Sequence, residues 1–268
     1  MKKRWKIFWA VCAVTAGLGL VCCVTALALG VSVEMLQNRL PNGIGLVVGG
    51  DNLESATETY AGVQKVDMEL FAGNVEVLPG DGQEVVVEAE NISRRLNFSA
   101  TMEGDELKIT SRKWAFFTEQ IGKGKIYIYL PRERTLEEIS LDVGAGSLMV
   151  EDLRADRFSL DVGAGDGTVE DFTAREADFD CGTGTIAARG DASQKLDIDC
   201  GVGDIEYTAY GSEGDYDYNI DCGVGDVTVG ERSYSGLGRS NHVNNGTGRE
   251  INIDCGVGSV CVFFDSAM

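Results

Sequence analysis

The sequence predicts an all-β fold, a β-solenoid or β-helix-like stack of coils of about 20 residues, preceded by one transmembrane helix. Three observations predict it. First, one phrase is written six times in the C-terminal half: ISLDVGAGSLMVED, FSLDVGAGDGTVED, ADFDCGTGTIAARG, LDIDCGVGDIEYTA, YNIDCGVGDVTVGE and INIDCGVGSVCVFF. The aligned aspartates Asp142, Asp161, Asp180, Asp199, Asp221 and Asp254 lie 19, 19, 19, 22 and 33 residues apart. Second, apolar and polar residues alternate inside each copy, the period of a half-buried strand. Third, no charged residue stands between Ile7 and Glu34, a run long enough to span a bilayer.

From the beginning of the chain, residues 1–6 form a basic tip. Lys2, Lys3, Arg4 and Lys6 would stay in the cytoplasm by the positive-inside rule, leaving the rest of the chain outside. Residues 7–30 read as the anchor. A cleavable signal peptide is the competing reading, with Ala26-Leu27-Ala28 as its cleavage site, but the uncharged run is longer than the usual apolar region of such a peptide. Residues 31–59 read as a tether with a turn at Pro41-Asn42-Gly43.

Residues 60–135 read as an N-terminal β region of degenerate coils, punctuated by Gly73-Asn74, Pro79-Gly80-Asp81-Gly82 and Gly104-Asp105. The phrase ELFAGNVEV from Glu69 echoes the later unit. Trp114, Phe116 and Phe117 read as aromatic cover for the core.

Residues 136–268 hold the six copies. In the first, Ile139, Leu141 and Val143 face inward and Asp142 outward. The following G-x-G is expected to bend the chain through positive φ and shift the parity, so that Leu148 and Val150 face inward again. The expected unit is two strands joined by a glycine arc, stable only when stacked on its neighbours.

Stacking turns equivalent positions into ladders about 4.8 Å per step. One is internal: Val143, Val162, Cys181, Cys200, Cys222 and Cys255. We read its thiols as small core hydrophobes. Zinc sites need cysteines a few residues apart, whereas these are about 20 apart; a disulfide between adjacent coils stays geometrically open. Cys261 is expected to face outward. The external ladder is Asp142, Asp161, Asp180, Asp199, Asp221 and Asp254. Each aspartate is expected to accept a backbone hydrogen bond two residues on, an Asx-turn that starts the arc. The alternative is a metal role, with calcium held by these six residues and helped by Asp166, Asp204 and Asp226. No other cofactor is indicated.

The formal charge of −20 excludes nucleic acid, which requires a basic footprint. No nucleophile elbow, P-loop, zinc-protease motif or dinucleotide fingerprint occurs, so the chain reads as a non-enzyme. A polysaccharide-active β-helix using paired aspartates is the remaining catalytic reading, and no coil carries a distinctive cluster for it.

An N-terminal β region ending in IYIYLP (Ile126 to Pro131), followed by repeated alternating units around G-x-G, resembles the bacterial adhesin-type domains of the DUF4097 family. The resemblance covers about Tyr60 to Phe264 and implies a β-solenoid, often on a membrane-anchored protein of the cell envelope. The regular D-C-G phrase and the stretch 230–249, read as a solvated loop insertion with the only histidine, His242, depart from the plain pattern. Arg232, Arg239 and Arg249 in that stretch are expected to clamp it to the aspartate ladder or to meet an acidic partner.

The functional expectation is a single-pass protein of the cell membrane with its C-terminal domain outside the cytoplasm. Its role would be structural, adhesive or binding, toward an envelope protein or glycan. A calcium-responsive ectodomain is the alternative.

Overall fold

The computed structural model describes residues 53–93, 96–111, 124–234 and 238–265. The basic tip, the anchor and most of the tether lie outside the described residues, as do Trp114, Phe116 and Phe117. Among the described residues no helix is long and apolar enough to cross a membrane.

In chain order the strands are β1 (Leu53–Tyr60), β2 (Lys65–Leu70), β3 (Gly73–Gly80), β4 (Val85–Ser93), β5 (Ser99–Glu103), β6 (Glu106–Ser111), β7 (Lys125–Pro131), β8 (Leu136–Val150) and β9 (Leu153–Val169). They continue as β10 (Phe172–Cys181), β11 (Thr185–Cys200), β12 (Asp204–Tyr210), β13 (Asp217–Cys222), β14 (Asp226–Val229), β15 (Arg232–Ser233), β16 (Arg239–Val243), β17 (Glu250–Cys255) and β18 (Ser259–Asp265). All join one hydrogen-bonded sheet, wound into a stack of rungs. The alternation read from the sequence is the rung's physics: Ile139, Leu141, Val143, Leu148 and Val150 are each at most 2% exposed. Each apolar position finds its equivalent in the next rung, so the core is one continuous column.

Several features differ from the sequence reading. The rung has a third side. Phe172, Thr173 and Ala174 pair in parallel with Leu153, Arg154 and Ala155, and Thr173 and Ala174 pair in turn with Asp191 and Ala192. The bend expected after the second strand is therefore itself a hydrogen-bonded ladder. The tether also ends early: β1 starts at Leu53 and pairs antiparallel with β4.

The third difference is the order of the rungs. Asp142 pairs with Asp161, Asp161 with Asp180 and Asp180 with Asp199, as the sequence implies. Asp199 then pairs with Asp254, and Asp254 with Asp221. The sixth copy, β17 and β18, is wedged between the fourth and the fifth. The chain steps over one rung position by way of a short 3-10 turn at Glu213–Asp215. It then builds the fifth copy as β13 and β14, runs back antiparallel along it as β15 and β16, and fills the vacant place last. Copies five and six share D-C-G-V-G, so local sequence gives either rung the same fit.

The other end repeats the device. β6 and β7 stack outside β2 and β3, which contact β8 on their other edge. Antiparallel strands close this end too: β4 on β7, β1 on β4 and β5 on β6. A solenoid end left bare would offer unpaired backbone to other chains, and such caps cover it. Within the stretch read as a solvated loop, β15 and β16 thus serve as cap strands, while His242 and residues 244–248 are exposed.

The glycine arcs also work differently from expectation. Of the G-x-G glycines in the six copies, Gly146 alone has positive φ, at 128°. What requires glycine is stacking distance: a Cβ at Gly165 would lie 2.1 Å from the Gly146 carbonyl oxygen, and one at Gly184 2.1 Å from that of Gly165. The arcs lie directly on one another with backbone against backbone.

Candidate binding face

The six ladder aspartates occupy one column, in the spatial order 142, 161, 180, 199, 254, 221. Strand pairing brings them together because each is the last outward residue before its arc. The expected Asx-turn is absent: among the described residues none of the six carboxylates accepts a backbone hydrogen bond. That role belongs to Asp217, whose carboxylate accepts from the backbone N–H of Asn245 at 2.6 Å, Gly246 at 2.9 Å and Gly248 at 3.1 Å. Burial acts to raise the Asp217 pKa, but these donors outweigh it and lower the value.

The ladder carboxylates feel the opposite environment. Partial burial, followed by the charge of the neighbouring rung, raises the pKa of Asp142, Asp180 and Asp199. Neighbours about 4.8 Å apart repel by roughly 0.9 kcal/mol even at water's dielectric constant. No group of three or more His, Cys, Asp or Glu side chains among the described residues is arranged to hold a metal ion.

A second outward column, two residues before the first, was not singled out in the sequence although every copy writes it: Ser140, Ser159, Asp178, Asp197, Asn219 and Asn252. At its C-terminal end the amide of Asn219 donates to Asn252 (2.7 Å), and that of Asn252 donates to Asp197 (2.8 Å). His242, on β16 opposite Asn219, places its Nδ1 against the Asn219 side-chain oxygen. Asp197, Asn219 and Asn252, together with Asp178, Asp199, Asp221 and Asp254, line a shallow depression of 450 Å³. The signal for it was positional: the column turns from serine to Asp and Asn as the copies proceed.

The arc tips form a third column beside the first. Successive tips stack through backbone hydrogen bonds, Val202 N–H to Gly182 O (2.8 Å), Val257 N–H to Gly201 O (2.9 Å) and Val224 N–H to Gly256 O (2.8 Å). Val202, Val257 and Val224 are 59%, 56% and 63% exposed. Asp204 and Asp226, expected as extra metal ligands, pair through Ser259 between them on the far side of this ridge.

The cysteine column is buried, with Cys181, Cys200, Cys255 and Cys222 adjacent in that order and all free. The thiols tuck beneath the arcs: Cys200 donates to Gly203 O at 3.0 Å and Cys222 to Gly225 O at 3.1 Å. Burial raises the pKa of Cys181 and Cys200, and that of Cys255 to about 11, which keeps these three thiols protonated and unreactive. Cys261 is half-buried on β18 beside Ser259.

Arg249 ends the cap and does not reach the aspartate ladder. Its guanidinium bonds Asp191 and the Tyr216 hydroxyl (2.9 Å), and lies 4.3 Å from the centroid of the Tyr216 ring. It thereby latches the strand entering the wedged rung to the third side that leads from the third copy into the fourth. Arg232 pairs with Glu213 at 3.5 Å.

No curated protein matches the chain. Among solved structures it is similar to a candidate cell adhesion protein from Clostridium sporogenes ATCC 15579, at 16% identity over 79% of this chain and 100% of that one, with a TM-score of 0.40. It is also similar to an adhesin candidate from Bacteroides fragilis NCTC 9343, at 16% identity over 78% of this chain and 97% of that one, TM-score 0.35. A third is a candidate lipid binding protein from Parabacteroides distasonis ATCC 8503, at 14% identity over 79% and 98%, TM-score 0.21. The family model described as Toastrack DUF4097 matches residues 63–243, more than half of the chain. The protein belongs to the DUF4097 Toastrack family.

Proposed function

We propose that this protein is a non-enzymatic binding module of the bacterial cell envelope, held to the cell membrane by residues 7–30 with its solenoid outside the cytoplasm. The observation that carries the reading is the repetition of the outward face. The same three columns, Asp, tip and second polar position, run from rung to rung without a nucleophile and base set apart in any one of them. A surface that repeats every 4.8 Å or so suits an extended partner and not a single reacting bond. The uncharged run from Ile7, behind four basic residues, supports the anchor and its orientation.

The test is fractionation of cells producing the full chain with a C-terminal epitope. The reading expects the protein in the alkali-washed membrane pellet and the epitope destroyed by protease added outside the cytoplasmic membrane. A soluble protein, or an epitope protected until the cells are lysed, overturns it.

A calcium-responsive reading has one observation in its favour, the stacking of six outward carboxylates in one column, since a bound cation would relieve the repulsion between neighbours. Thermal unfolding in millimolar calcium and then chelator decides it. A rise of several degrees that Asp180→Asn and Asp199→Asn abolish supports calcium, and an unchanged midpoint removes it.

A further inference from the structure

The three most exposed large hydrophobic side chains among the described residues are Val202, Val224 and Val257, and they are not scattered. The wedging of the sixth copy makes them consecutive along one ridge, each arc hydrogen-bonded to the next. A contiguous apolar patch rimmed by polar residues marks an interaction site, whereas isolated exposed valines need no explanation. On one flank of this ridge stand Asp199, Asp254 and Asp221, and on the other Asp204, Ser259 and Asp226.

We propose that Val202, Val257 and Val224, with the carboxylates on both flanks, form the docking strip for a basic amphipathic helix of a partner protein. The helix lays an apolar stripe along the valines and sets lysine or arginine side chains over the two acidic rails. This rests on the reading of the domain as a binding module and names its surface and partner class.

Dimensions and charge select this occupant. Three rungs put the outer valines about 10 Å apart, close to two turns of a helix at 5.4 Å pitch, so residues at i, i+3 or i+4, and i+7 meet successive tips. Carboxylates on both sides of an apolar strip favour a cationic partner and repel an anionic lipid surface or a second copy of a chain whose formal charge is −20. The 450 Å³ depression beside one rail, floored by Asp197, Asn252 and Asn219, gives a lysine or arginine head a place among acceptors. Elsewhere on the solenoid the tips shrink to Ala145, Ala164 and Thr183, so the strip is confined to the C-terminal rungs.

The probe is a fluorescent amphipathic peptide of about 14 residues with leucine on successive turns and lysine on both flanks, titrated into the full chain in non-ionic detergent and read by anisotropy. The expected result is saturable binding that weakens with salt. Val202→Ser, Val257→Ser and Val224→Ser together should weaken it at least about tenfold. Asp199→Asn, Asp204→Asn, Asp221→Asn, Asp226→Asn and Asp254→Asn together should weaken it similarly and flatten the salt dependence. Asp81→Asn with Asp105→Asn, exposed carboxylates outside the three columns, should leave it within about twofold. All these positions are on the surface, so circular dichroism should show each variant folded.

The proposal is overturned if the valine variant binds as the parent does. It is equally overturned if a peptide of the same composition without the stripe binds as well, or if the parent does not bind at low salt. Capture of phosphatidylglycerol vesicles through the valines would replace it with a lipid surface. The fractionation and protease experiment is independent of the peptide, so failure of the strip leaves the envelope reading intact.

Discussion

The first two copies of the repeat and the last three are built on one backbone plan and differ in what they present. In copies one and two the inner position before the arc is Val143 or Val162, the tip is Ala145 or Ala164, and the second outward column carries Ser140 and Ser159. In copies four, five and six these positions are cysteine, valine, and Asp or Asn. The early rungs stack in chain order and the late ones do not. The shared elements, Asp, Gly-x-Gly and the alternation, satisfy the sheet. The tips and second column are free of backbone duty, so the C-terminal rungs can carry an apolar ridge between carboxylates. The near-identity of the late copies is also what lets one rung be threaded between two others.

The largest effect that sharpens this contrast is truncation after Arg249. If copies stacked in chain order, removing the sixth would shorten the solenoid by one rung. With β17 and β18 wedged between the fourth and fifth copies, truncation leaves β13 with no parallel partner. Hydrogen exchange over residues 217–243 should then rise to that of an unfolded segment while the early rungs remain protected. Retained protection over 217–243 would show that the fifth copy can take the vacated place against the fourth, so that the wedged rung is not required to hold it.

Next in size is the arc. Gly165→Ala places a Cβ 2.1 Å from a backbone oxygen that cannot move aside alone, and should cost about 4 kcal/mol or more, or prevent folding. Gly214→Ala, with nothing within 4 Å, should stay within about 0.5 kcal/mol in the same denaturant titration. Equal effects at the two sites would refute the stacking account of the arc glycines.

Arg249→Met tests the latch of the late rungs. It leaves Asp191 and the Tyr216 hydroxyl without their guanidinium, at a cost of roughly 2 kcal/mol. The loss should be concentrated in the C-terminal rungs, as hydrogen exchange would reveal; a uniform loss would count against a local latch.

The smallest effect is the pH dependence, and its sign separates two kinds of aspartate. Burial first, and then the charge of neighbouring carboxylates, holds the folded-state pKa values of Asp142, Asp180 and Asp199 above the ordinary aspartate value. The folded state therefore holds their protons more tightly, and their contribution is fully present below the unfolded pKa and lost as pH rises through the folded value. Asp217, with a lowered pKa, contributes above the unfolded value and loses that contribution as pH falls through the folded one. In urea titrations across the acidic range, Asp199→Asn should flatten the decline toward neutral pH, by under about 1 kcal/mol. Asp217→Asn should flatten the decline toward low pH. A reversed pattern would mean that the ladder carboxylates are stabilised by partners and not opposed by neighbours.

Several features were determined by the sequence alone: the period, the inward set of Ile139, Leu141, Val143, Leu148 and Val150, the burial of the cysteines, and the alignment of six aspartates. These follow from side-chain alternation and repetition, which are local and need no knowledge of what lies across the sheet. Only the tertiary structure decided the rest. The order of rungs four, six and five depends on which of two equally fitting edges the chain reaches first, a matter of connection and not of strand preference. The need for glycine at the arcs lies in contacts between rungs, so single-copy reasoning assigned it to φ. The transfer of the backbone-anchoring role from the ladder aspartates to Asp217 depends on where residues 245–248 return. The ridge exists because three tips 22 to 55 residues apart in the chain become adjacent through stacking.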